Sequence, residues 1–430
     1  MNETSTTPHV WHFFLAAAFP GARLGEAPDC PRFHLGGLGE PPPPVALGDE
    51  ARGEEGDGRP GRGRRGTGRR LAADRSLLPA LASPPPRARQ KPPGLRRPEP
   101  GSRQQPPPPF RDRPPPELLL RGAGAAGEAG AAGEAELHVL AVLAKAERNE
   151  ALLAKAAAAL RSLVRFGKLG PREALALHLL CDGPSRTPAR QLLHQALRPA
   201  AFKYKVVFHD LEVLAQKLQP TVEAMQKLFS AGAGSYYGDS LFFLSVAMHH
   251  IMPREVSRVI QVDLDVEYRA NIRELFQEFD NFPEGAVIGI AQEMQPVYRH
   301  IFWQYRQEHP GTKVGDPPPD GLPGFNSGVL LLDLEAMRQS EQYNRLLEPA
   351  VVQQLASKFH FKGHLGDQDF FTLVGMEHPE LFYVLDCTWN RQLCTWWRDH
   401  GYSDVFEHYF RCDGHVRIYH GNCNTPIPAE

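Results

Sequence analysis

The amino-acid sequence predicts an α/β protein with a mostly parallel, Rossmann-like sheet, preceded by a long stretch without regular structure. Three observations lead there. From about Glu136 onward, short apolar runs alternate with helical stretches, the pattern of parallel strands joined by right-handed crossovers. The run Ser257 to Val262 ends in Asp263-Leu264-Asp265, which puts two carboxylates at the C-terminal end of a buried strand, where open α/β sheets bind ligands. Ahead of Glu136 the composition differs in kind: from Glu40 to about Pro116 it is dominated by Pro, Gly and Arg.

That early stretch includes Pro41-Pro42-Pro43-Pro44 and Arg59-Pro60-Gly61-Arg62-Gly63-Arg64-Arg65, and it cannot bury enough apolar surface to offset its ordering entropy. Residues 1–133 are therefore expected to form a disordered Pro/Gly/Arg-rich region and a Gly/Ala/Glu linker. Residues 134–430 are expected to form one domain, long enough for a large buried core. The net charge of -2 conceals basic residues crowded into the first region. Few aromatics interleave with those arginines, as base stacking would require, so no nucleic-acid partner is expected. The apolar run Val10 to Phe19 stops at Pro20, short of the roughly 20 residues that cross a bilayer. Ahead of it stand Glu3 and no Lys or Arg, unlike a secretory leader.

Within the domain, His138 to Ala144 is a short apolar run that predicts the first buried strand, and Asn149 to Leu163 has the apolar spacing of a helix. Ala174 to Cys181 predicts a second strand, Thr187 to Leu197 a helix capped by Thr187, and Lys203 to His209 a third strand. Val213 to Leu228 and Ser240 to Ile251 read as helices, the latter apolar nearly all round and so buried. After the strand ending at Val262 come strands over Ala286 to Ala291 and Gly328 to Leu334, the second running into a helix through Met337. A loop-rich insertion with Pro317-Pro318-Pro319 lies between them, where a sheet commonly carries specificity.

Residues two apart on a strand point the same way, so Asp263 and Asp265 can converge on one hard divalent cation. Two aspartates at this spacing also arise as ordinary strand-end residues. An EF-hand is excluded, because Leu264, Val266 and Tyr268 occupy the neighbourhood where that loop needs oxygen ligands and a glycine. Tyr419-His420-Gly421-Asn422 supplies an imidazole beside a glycine that lets backbone approach a ligand. Two carboxylates and one histidine suit manganese better than calcium. Four of the six cysteines, Cys387, Cys394, Cys412 and Cys423, sit near the C-terminus without the short spacing of a zinc knuckle. Paired, they imply an oxidising compartment; the alternative is four buried free thiols.

Phe325-Asn326-Ser327-Gly328 resembles the Phe-Asn-Ser/Ala-Gly strand of the glycogenin-like retaining glycosyltransferases, in which the glycine makes room at the donor sugar. Gly363 to Phe370 resembles the same family's Asp-Gln-Asp element, and His420 to Pro426 stands where its terminal histidine motif does. With Asp263-Leu264-Asp265 these elements keep the family's order from about Glu136 to Glu430. Tyr236 to His249, Met294 to His300 and Cys387 to Tyr402 are similar to the family's xylose-transferring members.

The resemblance implies a GT-A nucleotide-sugar transferase domain. It implies a Mn2+ ion, with Mg2+ as a possible substitute, on Asp263, Asp265 and His420, and UDP-α-D-xylose as donor. Gln368 would be the catalytic residue. Val142, Leu143, Ala144, Leu264, Asn326, Ser327, Leu365, Asp367 and Asp369 would bind the donor, and His300, Trp303, Trp397 and Asn422 the acceptor. That acceptor would be a xylosyl-glucose O-linked to serine of EGF-like repeats such as those of Notch, extended in α-1,3 linkage. The same resemblance implies disulfides Cys387–Cys412 and Cys394–Cys423, a homodimer, and a type II membrane protein facing the endoplasmic-reticulum lumen. Four features depart from the family: no anchor is evident, the expected Thr near Ala144 is missing, the glycine falls directly after His420, and Thr425 stands where a basic residue is expected immediately before Pro426. The alternatives are a metal-dependent UDP-sugar hydrolase and a non-catalytic glycan-binding protein.

Overall fold

In the computed structural model, which describes residues 118–121, 135–230 and 240–429, the apolar runs become strands of one eight-stranded sheet beside a three-stranded one. In chain order the strands are β1 (Leu118–Arg121), β2 (Ala135–Val142), β3 (Glu173–Cys181), β4 (Lys203–Asp210), β5 (Arg258–Val262), β6 (Val266–Tyr268), β7 (Ile288–Gln292), β8 (Phe325–Asp333), β9 (Phe382–Leu385), β10 (Arg391–Gln392) and β11 (Ile418–His420). The large sheet has the order β1-β4-β3-β2-β5-β8-β7-β9, and the small one β10-β11-β6. Strands β2, β3, β4 and β5 run parallel, as do β7 and β9. The sheet is mostly parallel, as expected, and β8 is the exception among its inner strands, antiparallel to both β5 and β7. Its connections explain why: the long excursion between β7 and β8 returns the chain to the same sheet edge it left. In consequence the start of β8 lies beside the ends of β5 and β7, with Val329 opposite Val262 and Phe325 opposite Gln292.

Alternation along the strands divides the core into two layers. Leu330 and Leu332 pack on one face with Ile288, Ile290, Phe370 and Phe371. Val329 and Leu331 pack on the other with Leu175, Leu177 and the inner sides of the helices Glu150–Phe166 and Arg186–Leu197. Each such buried side chain contributes about 2 kcal/mol from its lost contact with water.

Helix Glu150–Phe166 starts where Asn149 Oδ1 accepts the Leu152 N–H at 3.0 Å. The helix expected to be capped by Thr187 begins earlier, after Ser185, so Thr187 lies inside it. Ser185 makes no side-chain cap; its hydroxyl turns instead to accept the Ala146 N–H at 2.8 Å. The single helix expected over Val213 to Leu228 is two, Leu211–Lys217 and Gln219–Phe229, because Pro220 has no N–H to continue the first. Ser240 to Ile251 is not one helix either. It forms 3-10 turns at Ser240–Phe243 and Ser245–Ala247, then one α turn, Met248–Ile251. Buried on nearly every side, it lacks the amphipathic period that would define a helix axis, and the Ser245 hydroxyl reaches away to Asp367 at 2.5 Å.

Strand β1 lies within the stretch assigned above to the N-terminal region and linker, and pairs antiparallel with β4. The remainder of that assignment, Cys30 and Tyr236 to Asp239 lie outside the described residues. Among the described residues no helix is long and apolar enough to cross a membrane.

Candidate active site

Strand β5 ends at Val262 and turns through Asp263-Leu264-Asp265 into β6. The Asp263 N–H donates to the Gly328 carbonyl at 2.9 Å, fixing the turn to β8. Strand β11 lies antiparallel to β6 with His420 opposite Val266, and the Gly421 N–H donates to the Asp265 carbonyl at 2.8 Å. This pairing carries a histidine from far along the chain to the two aspartates. His420 Nε2 lies 3.7 Å from Asp263 Oδ2 and 3.4 Å from Asp265 Oδ1. One ligand atom from each of the three residues lies within 4.8 Å of the other two, so the set fits around a single divalent cation of oxygen-and-nitrogen preference.

Burial alone would lower the His420 pKa, but Asp265, Asp263 and Glu293 outweigh it and raise it. Loss of hydration and the neighbouring Asp265 carboxylate raise Asp263, although 53% of its side chain is open to solvent. Burial opposes ionisation of Asp265 as well, yet His420 and Lys155 overcome it and hold that carboxyl low. The Lys155 ammonium is 3.8 Å from Asp265 Oδ2 and donates to Asn424 Oδ1 at 2.6 Å. A cation therefore stands here although the residue immediately before Pro426 is Thr425.

The glycine of Phe325-Asn326-Ser327-Gly328 has a different use from the one expected. A Cβ on Gly328 would stand 2.3 Å from His420 Cε1, so the space it leaves is filled by the imidazole. Asn326, one turn of the pleat earlier, is buried and donates from Nδ2 to Glu293 Oε2 at 3.1 Å. Its Oδ1 accepts from the Gly328 N–H at 3.2 Å and from Asn390 Nδ2 at 2.9 Å. Asn390 Oδ1 in turn lies 3.0 Å from His420 Nδ1.

Helix Asp367–Glu377 opens on the Asp-Gln-Asp element. Gln368 Oε1 accepts from the Ser327 N–H at 3.3 Å, and its Nε2 donates to Glu293 Oε2 at 3.2 Å. Asp367 accepts from the Ser327 hydroxyl at 2.9 Å and from Ser245, while burial pushes its carboxyl up to about 6. Asp369 does not face the opening as a donor contact would. It is fully buried, and its carboxylate accepts from Tyr298 Oη at 3.0 Å and from the N–H groups of His364 and Leu365 at 2.5 and 2.6 Å. It holds the loop that presents Leu365.

Val142 and Ala144 are half-buried at the end of β2, whereas Leu143 is buried in the core, so only its backbone can reach a ligand. Leu264 is half-buried between the aspartates. Of the expected acceptor residues, His300 and Trp397 meet with ring centroids 5.2 Å apart, and His300 Nδ1 pairs with Tyr402 Oη at 2.8 Å. Trp303 starts the helix Trp303–Glu308, and among the described residues no hydrogen bond or ring contact ties it to that group. Asn422 Oδ1 accepts the N–H groups of Leu393 and Cys394, each at 2.9 Å, which leaves its amide nitrogen for a ligand. Disulfides join Cys387 to Cys412 and Cys394 to Cys423, the pairing that the resemblance implies, and Cys181 is a buried free thiol.

Sequence reasoning missed Glu293, Asn390, Lys155 and Ser245. Glu293 alone left a local signal, a carboxylate following the apolar strand Ile288 to Ala291; the others reach the site only through contacts distant in sequence.

No family model matches the chain. It is similar to xyloside xylosyltransferase 1 of Mus musculus, with 69% identity over 294 residues that cover 68% of this chain and 75% of the mouse protein. The Homo sapiens protein of the same name matches with the same identity and coverage. Among solved structures, the crystal structure of the mouse xyloside xylosyltransferase 1 in its apo form superposes with a TM-score of 0.66 at 68% identity, covering 68% of this chain and 100% of that one.

Proposed function

The chain belongs to the xyloside xylosyltransferase family, and from that premise we propose that it transfers xylose from UDP-α-D-xylose, with retention and in α-1,3 linkage, to a xylosyl-glucose O-linked to serine of EGF-like repeats such as those of Notch. One observation carries this reading. Strand β8 brings the Asp263–Asp265–His420 cluster and Gln368 together within two of its residues, Gly328 making space for the imidazole and the Ser327 N–H holding the amide.

Asp263, Asp265 and His420 would hold manganese, with magnesium as the substitute. Bound there, the metal supplies Lewis acidity to the diphosphate leaving group. Lys155 adds positive charge on the same side. Asn326, Ser327 and Asp367 line the donor sugar, with Leu365 presented beside them. Retention in glycosidases usually employs a carboxylate nucleophile near the anomeric carbon, and an amide is a poor substitute for one. The chemistry consistent with Gln368 is a front-face displacement. The bond from the anomeric carbon to UDP breaks, the acceptor hydroxyl oxygen bonds that carbon from the same face, and its proton passes to a UDP oxygen. The Gln368 carbonyl stabilises the sugar cation from the other side, while His300 and Trp397 offer faces to the acceptor rings. Two disulfides support an oxidising compartment, and the endoplasmic-reticulum lumen is part of this reading.

Incubating the protein with Mn2+, UDP-xylose and a xylosyl-glucoside, with mass-spectrometric detection, is expected to yield an acceptor heavier by one pentose. UDP release at the same rate with and without acceptor would favour hydrolysis instead. A panel of other UDP-sugars is expected to react more slowly.

A further inference from the structure

Glu293 follows β7 directly, is 3% exposed, and has no part in the mechanism above. Its Oε2 accepts from both Asn326 Nδ2 and Gln368 Nε2. An oxygen shared in this way decides how both amides are turned, because each must present its NH2 end to it. Gln368 is then obliged to aim its carbonyl oxygen toward Ser327, and Asn326 its own toward the Gly328 N–H and Asn390. Asn390, having given its NH2 to Asn326, faces His420 with a carbonyl oxygen. That places the imidazole proton on Nδ1 and leaves the Nε2 lone pair toward the aspartates, the tautomer a metal ligand needs.

We propose that Glu293 is a positioning residue for glycosyl transfer: it sets the direction of the hydrogen bonds that run through Gln368 to the donor sugar and through Asn326 and Asn390 to His420. The inference rests on the transferase reading of this site. A carboxyl oxygen accepts two N–H bonds whether or not its partner oxygen carries a proton, so the device works in either protonation state.

Three variants of the full chain test this, each assayed for kcat and KM with UDP-xylose and a xylosyl-glucoside, for Mn2+ affinity by calorimetry with the metal alone, and for thermal midpoint. Glu293→Met keeps the volume and removes the acceptor; its kcat is expected to fall at least 10-fold and its Mn2+ affinity about 10-fold, as for a lost partner of a metal ligand, with the donor KM within about threefold. Glu293→Gln retains an oxygen that can accept both amides and is expected to recover kcat to within about fivefold of wild type. A purely structural role would lower the thermal midpoint and leave kcat per folded molecule unchanged. A folded Glu293→Met with kcat within about twofold of wild type overturns the proposal. Should that variant not fold, Glu293→Asp decides, since its carboxyl is withdrawn by one carbon: a kcat about 10-fold lower supports the proposal and one within about twofold overturns it. If wild type itself transfers no xylose, the transferase reading fails separately. The Mn2+ titration then judges Glu293, equal affinities in wild type and Glu293→Met overturning its role and weaker binding supporting it.

Discussion

At the scale of single residues, the site depends on Gly328 as much as on any ligand. His420 is 4% exposed and fills the space that a side chain at position 328 would need. Gly328→Ala is expected to push the imidazole from the aspartates and weaken Mn2+ binding by about 10 to 100-fold, by analogy with disturbed metal-ligand orientation. Calorimetry with the metal alone measures this, and an unchanged affinity would contradict the geometry. The members of the cluster were legible: Asp263 and Asp265 by their spacing at a strand end, His420 by its place beside Gly421. Legibility stopped where chemistry depends on what is opposite. Asp369 sits in the same motif as Gln368 yet spends its carboxylate on Tyr298 and a loop backbone. Asn390 lies within the stretch Cys387 to Tyr402 and Glu293 just after an apolar strand, but neither place says what the side chain does, which appears only when the partners across the fold are known.

At the scale of elements, β6, β10 and β11 form a small sheet whose task is to bring the tail to the aspartates. Strand β11 lies within the loop closed by Cys394–Cys423, and Asn422 ties that loop to Leu393 and Cys394. Replacing both cysteines, Cys394→Ser with Cys423→Ser, is expected to cost about 2 to 5 kcal/mol. Turnover should fall with it, because the released strand carries His420; thermal melting and the transfer assay read the two effects. Strand runs such as Ala174 to Cys181 were legible because a buried parallel strand is apolar at nearly every position. The antiparallel direction of β8 was not, since hydrophobicity is the same read in either direction. Nor was the broken backbone from Ser240 to Ile251, whose apolar residues are surrounded by core on several sides and so show no period.

Across the whole molecule, the sheet contains a row of imidazoles from three adjacent strands. His138 Nδ1 meets His178 Nε2 at 3.0 Å, and His178 Nδ1 meets His209 Nε2 at 2.8 Å. Burial lowers all three, with His178 down to about 2 and His209 to about 4. They remain neutral in the fold but take up protons in the unfolded chain below about pH 6.5. At these sites the unfolded state then binds more protons, so their contribution to stability is complete above that pH and declines as the pH falls, by about 1.4 kcal/mol per unit each for His178 and His209. Buried carboxyls that are raised in the fold, such as Asp367, act in the opposite sense over the same range, so the row is isolated by comparison: wild type should lose stability relative to His178→Asn as the pH falls from 7 to 5, and a difference between the two midpoints that does not change with pH would contradict the burial. The same sheet gathers the ends of β5 and β7 and the start of β8 at one edge, and the central claim is that one divalent cation held there enables xylose transfer. Asp265→Asn tests it most directly, with Mn2+ titration and xylosyl transfer measured on the same folded sample. Metal binding and turnover are expected to be lost together, turnover by about 1,000-fold or more; transfer at the wild-type rate by a variant that no longer binds Mn2+ would contradict a metal-dependent transfer.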